Sequence, residues 1–124
     1  MEALQFIAEN IDSVPHLEAL ILLWNSRPVS WSLAELASRL YVTPERAHEI
    51  LTDLMRLQLV QGMQGAQLKF CYFSRSSEQD TLMQEMESVY RKDLVRVSNM
   101  IHSKEASPVR EFARAFRFRK DPET

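Results

Sequence analysis

The chain has 124 residues, 45% hydrophobic and 26% charged, which suits one buried core and excludes a disordered or fibrous protein. A formal net charge of −2 excludes an overall basic protein, and a lone cysteine, Cys71, excludes an internal disulfide and points to a reducing compartment. Two glycines in the whole chain, against abundant Leu, Ala, Glu and Arg, argue for a mainly α protein. No signal-peptide pattern opens the sequence, and no apolar run approaches the roughly 20 residues that span a bilayer. A soluble cytoplasmic protein without membrane partners is therefore expected. The charge is uneven: residues 1–60 carry four basic and eight acidic side chains, whereas residues 110–124 carry five basic and three acidic ones.

Residues 2–10 read as a short helix with Leu4, Ile7 and Ala8 on one side. A second helix is marked by Ser13 as N-cap, Pro15 in the first turn and a stripe of Leu17, Leu20, Ile21 and Trp24, and it stops at Arg27-Pro28. Val29, Ser30 and Trp31 alternate as a half-buried strand would. Ser32-Leu33-Ala34-Glu35 then matches a capping box, starting a helix that buries Leu33, Leu36, Ala37 and Leu40. Tyr41 and Val42 make the turn. Thr43-Pro44-Glu45 restarts the chain as a helix over 44–57 with Ala47, Ile50, Leu51, Leu54 and Leu57 inward. Gly62 and Gly65 bracket a hairpin turn, after which Leu68, Phe70 and Tyr72 face one side and Lys69, Cys71 and Phe73 the other. Residues 75–80 read as a polar loop. A long helix is predicted from about Thr81 to Ser103, its stripe being Leu82, Met86, Val89, Tyr90, Val97 and Ile101. At 1.5 Å per residue it would be roughly 35 Å long, so part of the stripe is expected to meet a partner chain as a dimer seam or to fold across the domain. A short helix over 109–118 ends in a basic cluster, Arg110, Arg114, Arg117, Arg119 and Lys120.

The order helix, tight turn, helix, glycine-punctuated hairpin, carried by Ser32–Ala37, Thr43–Ala47, Leu51, Leu54, Leu59 and Val60, resembles the winged helix-turn-helix superfamily, MarR-like bacterial regulators among them. The resemblance covers about residues 14–74. It implies a winged helix-turn-helix domain over 1–74 and a C-terminal helical extension over 75–124, packed on that domain or used to form a homodimer. It also implies a small DNA-binding transcriptional regulator whose helix 44–57 enters the major groove, with Thr43, Arg46, His48, Arg56 and the wing residue Lys69 as contacts to duplex DNA. The sequence departs from that pattern at Glu45, Glu49 and Asp53, which recur every four residues where a DNA reader prefers neutral or basic side chains. The alternative is a winged-helix module that docks a partner protein through this acidic face. A third reading pairs the charges within the helix, Glu49 with Arg46 and Asp53 with Arg56.

The residues offer no catalytic arrangement, and no enzyme is expected. His16, His48 and His102 fall on three elements without metal-ligand spacing, no glycine-rich phosphate loop or nucleophile elbow is present, and neither a metal nor another cofactor is expected. Cys71 reads as a strand residue in preference to a redox sensor. Phe112, Phe116 and Phe118 read as core or dimer contacts, and Met83, Met86 and Met100 as gap-fillers in preference to pocket lining.

Overall fold

The computed structural model describes residues 2–105. The helix expected over 109–118, its phenylalanines and the basic cluster lie outside the described residues. Among the described residues, six helices and a small sheet follow in the order α1 (Ala3–Asn10), α2 (Val14–Asn25), β1 (Trp31–Ser32), α3 (Leu33–Leu40), α4 (Pro44–Arg56), β2 (Val60–Met63), β3 (Lys69–Tyr72), α5 (Ser77–Lys92) and α6 (Leu94–Glu105). The mainly α winged helix-turn-helix expected from the sequence is the fold observed.

Local chemistry starts α2, α3 and α4 where the caps predict. Ser13 caps α2 by accepting from the His16 amide, and Thr43 caps α4 by accepting from the Arg46 amide. The capping box at α3 is complete, with Glu35 Oε1 accepting from the Ser32 amide at 2.8 Å and Ser32 Oγ accepting from the Glu35 amide at 3.2 Å. The Ser32 amide, with help from the Ser32 hydroxyl, holds the Glu35 carboxyl below its usual range, and Lys69 adds attraction. Tyr41 closes α3 in the left-handed region at φ 57°, and the chain reverses into α4.

β3 is the central strand of an antiparallel sheet ordered β1-β3-β2. Its centrality corrects the simple two-face reading of the wing: Phe70, Cys71 and Tyr72 are all buried, and Leu68 lies exposed beyond the strand. On the second face, Cys71 is flanked by Gln61, whose amide donates to Sγ, and by Met63. Gly62 is part of β2 opposite Phe70, so the turn proper spans 64–68. The strand read at Val29–Trp31 is shifted to Trp31–Ser32, because the pairing that makes it a strand is with Phe70 and Lys69. Val29 is exposed.

The C-terminal half differs most from expectation. The polar segment 75–80 is largely the first turn of α5, capped by Ser76, and the predicted long helix is two helices broken at Asp93, where φ −143° and ψ 54° leave the helical region. The Asp93 amide closes α5 on the Val89 carbonyl, while its own carbonyl accepts from Val97 in the first turn of α6. At 1.5 Å per residue the two helices are about 24 and 18 Å long. Both pack on α1 and α2, so part of the apolar stripe folds across the domain. Met83, Met86, Val97 and Ile101 join Ile7, Leu17, Leu20, Leu36, Ile50, Leu54 and Phe70 in one buried cluster. Fully burying each such side chain is worth about 1.5–3 kcal/mol.

Candidate nucleic-acid interface

α4 packs its apolar stripe, Ala47, Ile50, Leu51 and Leu54, against α2, α3 and β2 and turns Glu45, His48, Glu49 and Arg56 outward. Of the residues expected to contact DNA, Thr43 spends its hydroxyl on the α4 cap, and His48 is exposed. Arg46 is half-buried; it reaches Glu49 at 3.5 Å and donates through Nη2 to Ser13 Oγ at 3.3 Å. Arg56 is the most open of the helix cations, with 63% of its side chain exposed, and it pairs with Asp53 at 3.2 Å. Lys69 sits at the start of β3, across the sheet from Ser32. The reading in which the charges pair within the helix is therefore the geometry observed for both arginines.

The acidic row is not continuous. Glu45 and Glu49 are exposed, but Asp53 turns back toward the protein, where Oδ2 accepts from His16 Nε2 at 2.9 Å. His16 is buried, at 3% exposure, and Ser13 Oγ lies 2.5 Å from its Nδ1. Ser13 Oγ already accepts from the His16 amide and from Arg46, so its own hydrogen is the one directed at Nδ1. That leaves Nε2–H to donate to Asp53, and both ring nitrogens are satisfied. This Ser13–His16–Asp53 network clips α4 to the N-terminus of α2. Sequence reasoning missed it, because His16 and Asp53 are 37 residues apart; the one local signal was the Ser13/His16 spacing of a capped first turn.

The wing is fastened separately. Tyr72 donates to Asp80 Oδ1 at 2.7 Å, Ser74 donates to Asp80 Oδ2 at 2.8 Å, and Gln79 Nε2 donates to Tyr72 Oη at 3.0 Å and to the Phe73 carbonyl at 2.6 Å. Burial, reinforced by Asp80, pushes the Tyr72 phenol up to about 12, while the hydroxyls of Tyr72 and Ser74 hold the Asp80 carboxyl below its ordinary range. Trp24 meets the Tyr72 ring edge-on at 5.0 Å and carries the Arg27 guanidinium on its own ring.

The residues expected at a dimer seam divide into two groups. Met86, Val97 and Ile101 are consumed by the chain's own core, whereas Leu82, Val89 and Tyr90 are half-buried at its edge. Among the described residues no helix is long and apolar enough to cross a membrane.

No family model matches the chain, and no curated protein matches it at a significant level. Solved structures do match. MepR, a transcription regulator of the Staphylococcus aureus multidrug efflux pump MepA, aligns with a TM-score of 0.57 at 14% identity, over 95% of this chain and 84% of its own. RV1404 from Mycobacterium tuberculosis aligns at 0.54 and 17% identity, over 92% of this chain and 76% of its own. The multiple antibiotic-resistance repressor MarR from Listeria monocytogenes aligns at 0.53 and 19% identity, over 98% of this chain and 78% of its own. At these identities the likeness fixes the fold and nothing finer: the chain has the winged helix-turn-helix fold of MarR-like regulators.

Proposed function

We propose that the chain is a transcriptional regulator that binds duplex DNA as a homodimer, with α4 in the major groove and the β2–β3 wing beside it. The observation that carries the reading is α4 itself, a capped helix held by its apolar stripe on α2 and α3, whose outward face does no packing. Arg46, His48, Arg56 and Lys69 supply the polar and cationic contacts in this reading, with Thr43 fixing the helix start. The pairing of both arginines does not oppose it. Exposed ion pairs are worth about 0–1 kcal/mol, so phosphate oxygens can displace Glu49 and Asp53 as partners. In the dimer, Leu82, Val89 and Tyr90 are the seam residues still open to a second copy.

Titration into random-sequence duplex at low and moderate salt tests the proposal. Engagement of Arg46, Arg56 and Lys69 gives a slope of log affinity on log salt of about −2.7 per protomer. Arg56→Ala is expected to reduce that slope by about 0.9 per protomer. No binding at low salt overturns the reading. That outcome would favour docking of a basic partner protein, for which the exposure of Glu45 and Glu49 on the same face is the supporting observation.

A further inference from the structure

Asp12, in the turn between α1 and α2, His16, in the first turn of α2, and Asp53, on α4, bring one donor atom each to within 4.8 Å of one another. We propose that these three side chains form a binding site for a divalent transition-metal ion of the zinc class. The proposal stands whether α4 reads DNA or docks a protein.

The donor set selects the ion. One imidazole nitrogen and two carboxylates suit zinc and its first-row neighbours, whereas calcium takes six to eight oxygen ligands and magnesium keeps most of its waters. Two carboxylates also cancel the charge of a divalent cation. Metal–ligand bonds of about 2.0–2.2 Å draw donor atoms to roughly 3.2–3.6 Å from one another. His16 Nε2 and Asp53 Oδ2, now 2.9 Å apart, therefore need to part by a few tenths of an ångström, and the Asp12 carboxylate needs to close on them by up to about 1 Å, a side-chain rotation at a half-buried residue. Asp53 keeps Oδ1 on Arg56 at 3.2 Å, so Oδ2, now on His16, is the oxygen it brings to the ion.

The surroundings are those of a supported ligand. His16 is buried and oriented by Ser13 Oγ at 2.5 Å on Nδ1, the outer contact that fixes a ligating imidazole. The ion takes the place of the Nε2 hydrogen now shared with Asp53. The ring hydrogen shifts to Nδ1 and donates to Ser13 Oγ, whose hydroxyl turns to accept it, so that hydrogen is kept on the ring. The 3.3 Å bond from Arg46 to Ser13 is the contact this rotation displaces. The occupied site would tie the α1–α2 turn to α4 through the metal.

The test is a titration of the full chain with zinc by calorimetry and with cobalt by visible absorption, without DNA. One equivalent is expected to bind, cobalt giving the ligand-field bands of a low-coordinate N/O site without a thiolate charge-transfer band. Zinc is also expected to raise the melting temperature. Asp12→Asn, its fold checked by circular dichroism, is expected to lose at least tenfold in affinity, and the exposed His102→Asn to bind as the unmodified chain does. No binding at millimolar metal, or equal affinity in Asp12→Asn, overturns the proposal.

Discussion

Tyr41 holds φ 57° and ψ 43° at the end of α3 while its side chain is 95% exposed, so the ring returns nothing in packing for a backbone pose that L residues disfavour. Glycine adopts that pose without strain and is the usual residue at such a helix end. Tyr41→Gly is therefore expected to raise stability by about 0.5–1 kcal/mol, the relief of strain exceeding the added freedom of the unfolded chain. Urea denaturation checks it, and a loss of stability would show that the ring makes a contact the fold depends on. At this scale the sequence was most legible where chemistry is local. Ser13, Ser32, Glu35 and Thr43 cap as their spacing predicts, because each bond spans three residues. His16 was illegible for the converse reason: its decisive partner, Asp53, is brought to it only by the packing of α4 on α2.

Among the elements, the latch between β3 and α5 makes the clearest pH statement. The Tyr72 phenol is favoured in its neutral form by the fold, with its titration raised from 10.0 to about 12 by burial and by Asp80. A raised value means that the contribution to stability is whole below pH 10 and is lost as the pH climbs from there through about 12. For Asp80 the sign is opposite: its depressed carboxyl contributes above its ordinary range and loses that contribution as the pH falls through the depressed value. Thermal melting across alkaline pH should show a decline that is shallower in Tyr72→Phe; identical profiles would remove Tyr72 as its source. The same latch explains why residues 75–80 looked like a loop. Arg75, Gln79 and Asp80 are polar because they clamp the wing, and a polar first turn on α5 has no apolar period to reveal it. The break at Asp93 was hidden differently. The apolar residues on either side, Val89 and Val97, are eight apart, as they would be on one uninterrupted helix.

For the molecule as a whole, the question is whether the winged helix and the C-terminal helices are one cooperative unit. The sequence offered a boundary near residue 74, since the recognisable motif ends there. Ile101, on α6, is fully buried in the same cluster as Ile7, Leu17 and Leu54, which lie on the motif side of that boundary. Truncation in such a core costs about 2–5 kcal/mol through lost burial and the cavity left behind. Both tryptophans, Trp24 and Trp31, also lie on the motif side and report its unfolding alone. Ile101→Ala is thus expected to lower the urea midpoint read by tryptophan fluorescence, in step with the midpoint read by far-ultraviolet circular dichroism. With a cost of that size and a slope of about 1–3 kcal/mol per molar urea, the shift should be roughly 0.7 M or more. If the tryptophan midpoint stayed in place while the dichroism midpoint fell, α5 and α6 would be a separable unit. The winged helix would then fold without them, and a change at its outward face could not be transmitted through this core to a dimer seam on α5.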